Sequence, residues 1–297
     1  MLTKHQFNVL VCLEKAKESL SQRQVSVHTD MAIGTVNRVF KELVQEGYIS
    51  DGCITDKGIE ALEPYRVRRA IFMAAGFGSR MVPITLNTPK PLVRVKGVRL
   101  IDTLLDACVA AEIEEIYIIR GYLGEQFDVL LNKYPNIKFI ENPDFNLANN
   151  IVSMLYARDK IGNSYVLEAD LHLRNPELIT KYQYSSNYLG IPVSRSDDWC
   201  VTTKGGYISS VALGGEGDNV YQVIGVSYWT EEDGAKLREH IKAVCDMPGG
   251  KEKLWGYVPL TAFHSEYKVS VRSCKFEDVV EIDSFKELKE LDPIYAI

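Results

Sequence analysis

The apolar run Ala70-Ile71-Phe72-Met73-Ala74-Ala75 stops abruptly at Gly76-Phe77-Gly78-Ser79-Arg80-Met81. A short apolar run closed by glycine suits a buried strand and is too short for a helix, so the chain delivers a strand end straight into a tight turn. Glycines at 76 and 78 let backbone N–H groups close on an anion, and the segment that follows can add a helix N-terminus. The turn is neither a Walker A loop, which needs Gly-Lys-Ser/Thr, nor a GxGxxG fingerprint, because Met81 stands where the third glycine would be. Ala74, Ala75, Gly76, Gly78, Ser79 and Arg80 are the phosphate-binding candidates.

Further strand-like runs follow at 113–119, 138–141, 164–167 and 188–193, separated by helical patterns at 100–111, 125–134, 150–159 and 176–184. Strands alternating with helices predict an α/β domain, a Rossmann-like and mostly parallel sheet covered on both faces. Segments 199–203, 207–213 and 220–230 are strand-rich with no helix between them, which predicts an antiparallel extension. Asp170 sits at the end of the 164–167 strand, the sheet edge where ligands bind, and is the leading candidate to hold Mg2+. Glu168, two residues earlier, points to the same face from deeper in.

The first 67 residues follow a different pattern. Phe7, Val9, Leu10 and Leu13 recur at helical spacing, and Val36, Val39, Phe40, Leu43 and Val44 form a second stripe ending at Gly47. A short hairpin around Asp51-Gly52 and a closing helix over 56–65 complete a small winged helix-turn-helix domain resembling the MarR-like kind. Residues 1–67 and 68–297 are thus read as two domains. Thr35, Asn37, Arg38 and Lys41 would face a DNA groove. Yet residues 1–68 hold nine Lys and Arg against nine Asp and Glu, which lacks the basic footprint of DNA binding, and self-association is an equal alternative.

A net charge of −6 disfavours non-specific nucleic-acid binding by the whole chain. Six cysteines without a CxxC pair suggest neither a zinc site nor a disulfide framework. No basic stretch leads into an apolar run, and nowhere do about 18 consecutive apolar residues occur, so a cytoplasmic protein with no membrane partner is expected. The five histidines show no metal spacing, and no nucleophilic triad stands out.

Residues 74–93, AAGFGSRMVPITLNTPKPLV, resemble the signature G-x-G-[ST]-R-[LM]-x-P-x-T-x-x-x-P-K of the nucleotidyltransferase superfamily that makes nucleotide sugars. Within it the chain looks most like the bacterial CTP:phosphocholine cytidylyltransferases, through GYLGEQFD (121–128), NNIVSM (149–154), NSYVLEAD (163–170), GVSYW (225–229) and EIDS (281–284) in the same order. The resemblance spans residues 68–292 and leaves the front domain as an addition. It implies that Arg80 contacts the β- and γ-phosphates and Lys90 the α-phosphate and the incoming phosphate. Cations there make physical sense, because charge moves toward pyrophosphate as it leaves. It also implies CTP as nucleotide, with Asp283 completing the metal site of Asp170.

Gly121-Tyr122, which follows a strand, and Asn149-Asn150 with Ser153, which open a helix, suit polar readout of a pyrimidine and ribose, though an Asn there serves equally as a cap. Trp199 and Trp255, with acids nearby, could form an aromatic cage for a quaternary ammonium, each good contact contributing about 0.5–2 kcal/mol. Alternation along Glu281-Ile282-Asp283 puts both carboxylates on one side of a short strand, with Glu281 facing a cationic acceptor, while Asp283-Ser284 could instead cap the helix that follows. Where the choline likeness favours an acid after the second tryptophan, this chain has Gly256. The reading is transfer of CMP from CTP to phosphocholine or another small phosphorylated acceptor, giving CDP-choline and pyrophosphate. The rivals are a sugar-1-phosphate nucleotidyltransferase and a winged-helix regulator with a nucleotide-sensing domain.

Overall fold

In the computed structural model, which describes residues 1–296, the chain forms two compact units: Met1–Arg66 with Tyr182–Tyr184, and Val67–Lys181 with the chain from Ser185 onward. The small unit packs α1 (Lys4–Ala16), α2 (Gln22–Thr29) and α3 (Ile33–Gln45) around Val9, Leu10, Val25, Val36 and Leu43. A hairpin of β1 (Ile49–Ser50) and β2 (Cys53–Ile54) turns at Asp51 and Gly52, both left-handed (φ 51° and 78°), as a two-residue turn that keeps strand twist requires. Helix α4 (Asp56–Leu62), capped by Thr55, closes the winged helix. Asn37, Arg38 and Lys41 are exposed on α3, but Arg38 is tied to Glu42 at 2.7 Å, and Thr35 is half-buried.

Helix α2 is absent from the apolar periodicity because Val25 is its one buried residue; its signal is the capping box of Ser21 and Gln24. The helix expected over 176–184 does not form. A 3-10 turn covers Pro176–Leu178, and Tyr184 carries its ring to Phe7 and Tyr65 (centroids 5.4 and 5.5 Å away), so tertiary packing overrides local propensity.

The large unit holds β3 (Arg69–Met73), the short hairpin β4 (Arg94–Val95) and β5 (Val98–Arg99), α5 (Leu100–Ala110), β6 (Glu115–Arg120) and β7 (Ile137–Glu141). Then come α6 (Asn150–Ala157), β8 (Ser164–Glu168), β9 (Leu171–Leu173), β10 (Asn187–Pro192), β11 (Arg195–Lys204), β12 (Tyr207–Glu216) and β13 (Val220–Trp229). Helix α7 (Glu231–Asp246), β14 (Ser270–Ser273), β15 (Val279–Glu281) and α8 (Phe285–Leu291) finish the unit. The nine-stranded sheet runs β12-β11-β13-β8-β3-β6-β7, with β10 on β13 and β14 on β10. Strands β8, β3, β6 and β7 are mutually parallel; β13, β11 and β12 extend the sheet antiparallel.

Alternation along the strands splits the core between the two faces. Ala70, Phe72, Ile118 and Leu167 pack with Leu104 and Leu105 of α5, whereas Ile71, Ile119 and Val166 pack with α6 and α7. Helix α7 was not read from the sequence; its signal is Thr230 before Glu231-Glu232-Asp233, then Leu237, Ile241 and Val244, interrupted by Gly234. A Cβ on Gly234 would lie 2.6 Å from the Gly162 Cα, so this glycine serves close helix packing. The helix read over 125–134 is a 3-10 run, Gly124–Asn132. Among the described residues no helix is long and apolar enough to cross a membrane.

Candidate active site

Strand β3 connects through α5 to β6 on one side while β8 lies on its other side, and this reversal opens a crevice at the strand ends. Met73 is in register with Glu168, so the glycine turn and the Glu168-Ala169-Asp170 segment emerge together. They border a cleft of about 1070 Å³. Ala74, Ala75, Gly76, Gly78, Ser79, Arg80, Lys90, Asn150, Ser153, Asp170, Trp199, Trp255, Glu281 and Asp283 all line it.

The glycine turn does not run into an α-helix. Three 3-10 turns follow it, Ser79–Met81, Ile84–Leu86 and Lys90–Leu92, because Pro83, Pro89 and Pro91 remove the donors a helix needs. Gly78 is left-handed (φ 61°), and a Cβ there would sit 3.0 Å from the Lys90 Cβ. Thr85 Oγ1 donates to the Gly78 carbonyl at 2.9 Å, fixing the turn against the Lys90 stem.

Lys90 is buried, and its Nζ donates to Asp170 Oδ2 at 2.7 Å and to Asp283 Oδ1 at 2.9 Å. Burial opposes its charge, yet the two carboxylates hold its pKa above the usual lysine value. Arg80, largely exposed, also donates to Asp283 Oδ1, at 2.9 Å. Strand β15 pairs with β9 so that Glu281 faces Leu171, which brings Glu281 beside Asp170 from far along the chain. Carboxylate oxygens of Glu168, Asp170 and Glu281 lie within 4.8 Å of one another. Burial, then Asp170 and Glu281, pushes the Glu168 pKa up to about 8; burial, then Asp170 and Asp283, pushes Glu281 up to about 7.

Several sequence expectations change here. Glu281 and Asp283 do not share a strand, because β15 ends at Glu281 and Ser284 caps α8 in a capping box with Glu287. Gly121 and Tyr122 do not line the cleft. Gly121 packs against Phe145, and Tyr122 donates to the Thr85 carbonyl at 2.9 Å with its ring 5.0 Å from Phe77, so the pair buttresses the glycine turn from outside. Asn150 and Ser153 reach the cleft with engaged side chains: Ser153 Oγ accepts from Asn142 at 3.0 Å, and Asn150 Oδ1 accepts the Trp255 N–H at 2.8 Å. Trp255 is buried against Tyr188 and Trp229 (6.1 and 5.7 Å), whereas Trp199 is 47% exposed, so the two indoles line the same cleft in unlike settings.

Two supporting residues were not read from the sequence. Gln222 Nε2 donates to Asp198 Oδ2 at 2.9 Å and orients that carboxylate beside Trp199. Gly225 on β13 lies under Glu168, where a Cβ would come 2.7 Å from the Glu168 Cβ and closer still to its carboxylate. Gly225→Ala should therefore displace Glu168 and cost about 1–3 kcal/mol by overpacking, seen as a lower Tm with a fall in activity. An unchanged melt and unchanged activity would refute the close fit.

A protein-family profile described as nucleotidyl transferase matches residues 69–183, and one described as winged helix-turn-helix DNA-binding matches residues 2–50. The 2-aminoethylphosphonate cytidylyltransferase of Lancefieldella rimae is 33% identical over 231 residues, covering 76% of this chain and 93% of the relative. The choline-phosphate cytidylyltransferase of Streptococcus pneumoniae is 29% identical over 76% of this chain and 97% of its own. A solved structure of CTP:phosphocholine cytidylyltransferase from Streptococcus pneumoniae superposes with a TM-score of 0.69 at 28% identity, covering 77% of this chain and 99% of that one. With the glycine turn, Lys90 and the acid cluster meeting at one sheet edge, the chain belongs to the nucleotidyltransferase family as a cytidylyltransferase carrying an N-terminal winged helix-turn-helix.

Proposed function

We propose that the protein transfers CMP from CTP to a small phosphonate or phosphate with a primary ammonium head, of the 2-aminoethylphosphonate type. The supporting observation is one cleft that joins an anion-binding turn and a buried lysine to a set of carboxylates. An oxygen of the acceptor attacks the α-phosphorus of CTP in line, the new P–O bond forms as the bond to the β-phosphate oxygen breaks, and pyrophosphate leaves. The turn from Ala74 to Ser79 holds the phosphates by main-chain N–H groups; Arg80 neutralises the leaving end and Lys90 the reacting phosphorus.

The residues suit Mg2+. Asp170 Oδ1 is buried without a hydrogen-bond partner, its carboxylate lies within 4.8 Å of those of Glu168 and Glu281, and Asp283 shares the Lys90 ammonium with it. Asp170 and Asp283 would hold the ion, with Glu281 adjacent, and bound magnesium would supply charge neutralisation for the triphosphate.

The acceptor end favours an amine that donates hydrogen bonds. Glu281 and the oriented Asp198 can accept such bonds, and of the aromatic residues lining the cleft Trp255 and Tyr188 are packed on one another while Trp199 is open; a quaternary ammonium makes no hydrogen bonds and needs several aromatic faces. Phosphocholine is the second reading, supported by the exposed face of Trp199. Pyrophosphate release should be measured with each of the common NTPs against 2-aminoethylphosphonate, phosphocholine and a sugar 1-phosphate. CTP with 2-aminoethylphosphonate should exceed phosphocholine in kcat/KM by about tenfold or more, roughly 1.4 kcal/mol of transition-state discrimination. Turnover confined to the sugar phosphate would overturn the proposal.

A further inference from the structure

The cleft wall formed by 252–257 belongs to a strap that leaves the end of α7 and returns beside α6. Its start is fixed sterically. Gly249 is left-handed (φ 70°), and a Cβ on Gly250 would collide with the backbone carbonyl of Val244. Its remainder is held by the two residues that open α6. The Asn149 N–H donates to the Lys251 carbonyl at 2.9 Å, Asn149 Nδ2 donates to the Glu252 carbonyl at 3.2 Å, and Asn150 Oδ1 accepts the Trp255 N–H at 2.8 Å. Asn149 Oδ1 also caps its own helix through the Asn150 N–H at 2.7 Å. Of these bonds, only the one from Asn150 reaches the residue whose indole both lines the cleft and packs on Tyr188 and Trp229.

We infer that Asn150 is a positioning residue for acceptor selection: it clamps the strap at Trp255 and so sets the wall that the acceptor meets. This inference rests on the proposed function, since it takes that wall to face the acceptor. One lone pair of the Asn150 carbonyl oxygen is committed to the Trp255 main-chain N–H, so the side chain is oriented by the strap, and kinetics with each substrate varied separate this role from direct nucleotide recognition. Replacing Asn150 by alanine orphans the Trp255 N–H and frees the strap to drift, whereas aspartate retains an oxygen acceptor at the same distance along the side chain.

The full-length protein should be compared with its Asn150→Ala and Asn150→Asp variants by amide hydrogen exchange over 250–257 and by steady-state kinetics with each substrate varied. Asn150→Ala should speed exchange in that segment and raise KM for the acceptor about tenfold, the scale of one lost hydrogen bond, with KM for CTP shifted less than about twofold. Asn150→Asp should restore both readouts. Unchanged exchange in Asn150→Ala, or a rise in KM for CTP equal to that for the acceptor, overturns the inference. A wild-type protein that releases no pyrophosphate with any acceptor refutes the proposed function instead, and the exchange comparison still decides the clamp.

Discussion

With Asp170 holding the ion as proposed, Asp170→Asn should lower kcat for pyrophosphate release by about two to three orders of magnitude, while leaving Tm within about 4 °C of wild type. The two effects separate because of what surrounds the carboxylate. Asp170 attracts Lys90 at 2.7 Å but repels Glu168 and Glu281, whose pKa values it helps to raise. Removing its charge therefore loses one favourable interaction and relieves two unfavourable ones, and asparagine preserves the shape. Its Oδ1, buried and unpaired among the described residues, contributes nothing to the fold that asparagine would forfeit. Thermal melting in chelator reads stability, and a Mn2+ titration by calorimetry or magnetic resonance reads the ion site independently of turnover. A variant that keeps full activity and full ion affinity would place the ion elsewhere.

What the sequence disclosed and what it hid follow from the range of the interactions. The turn after β3, with Arg80 and Lys90, was readable because a strand end, two glycines and spaced prolines act within about twenty residues of one another. Asp170 was readable for the same reason, as an acid at the end of an apolar run. The meeting of Asp170 with Glu281 was not, since it depends on β9 pairing with β15, segments with no local signal for each other. Gly121 and Asn150 carried the right residue types in plausible places, yet Phe145 fills the space beside Gly121, and Asn150, which does line the cleft, also accepts the Trp255 main-chain N–H, a long-range contact without local signal. Tryptophan was ambiguous for a simpler reason. An indole serves a core or a cage equally well, and packing alone decides that Trp255 is buried while Trp199 is open.

Lys90→Met tests the centre of the site, and its pairing with Asp283→Asn distinguishes chemistry from stability. Methionine keeps the unbranched stem that packs on Gly78, so the packing loss is small. The ammonium is the larger loss. Lys90 is 10% exposed and its partners Asp170 and Asp283 are 24% and 28% exposed, so deleting it leaves two poorly solvated carboxylates facing each other and the acids beyond them. Breaking such a pair costs about 2–4 kcal/mol, and, on the proposed role of Lys90 at the reacting phosphorus, catalysis should fall by about two to three orders of magnitude. Adding Asp283→Asn removes one of the stranded charges, and Arg80, largely exposed, is released at little cost. The double variant should therefore regain about half of the lost stability in denaturant titrations while its turnover stays as low as that of Lys90→Met. Recovery of activity along with stability would mean that Lys90 matters only as a counter-ion for the acids, and that some other group neutralises the phosphate during transfer.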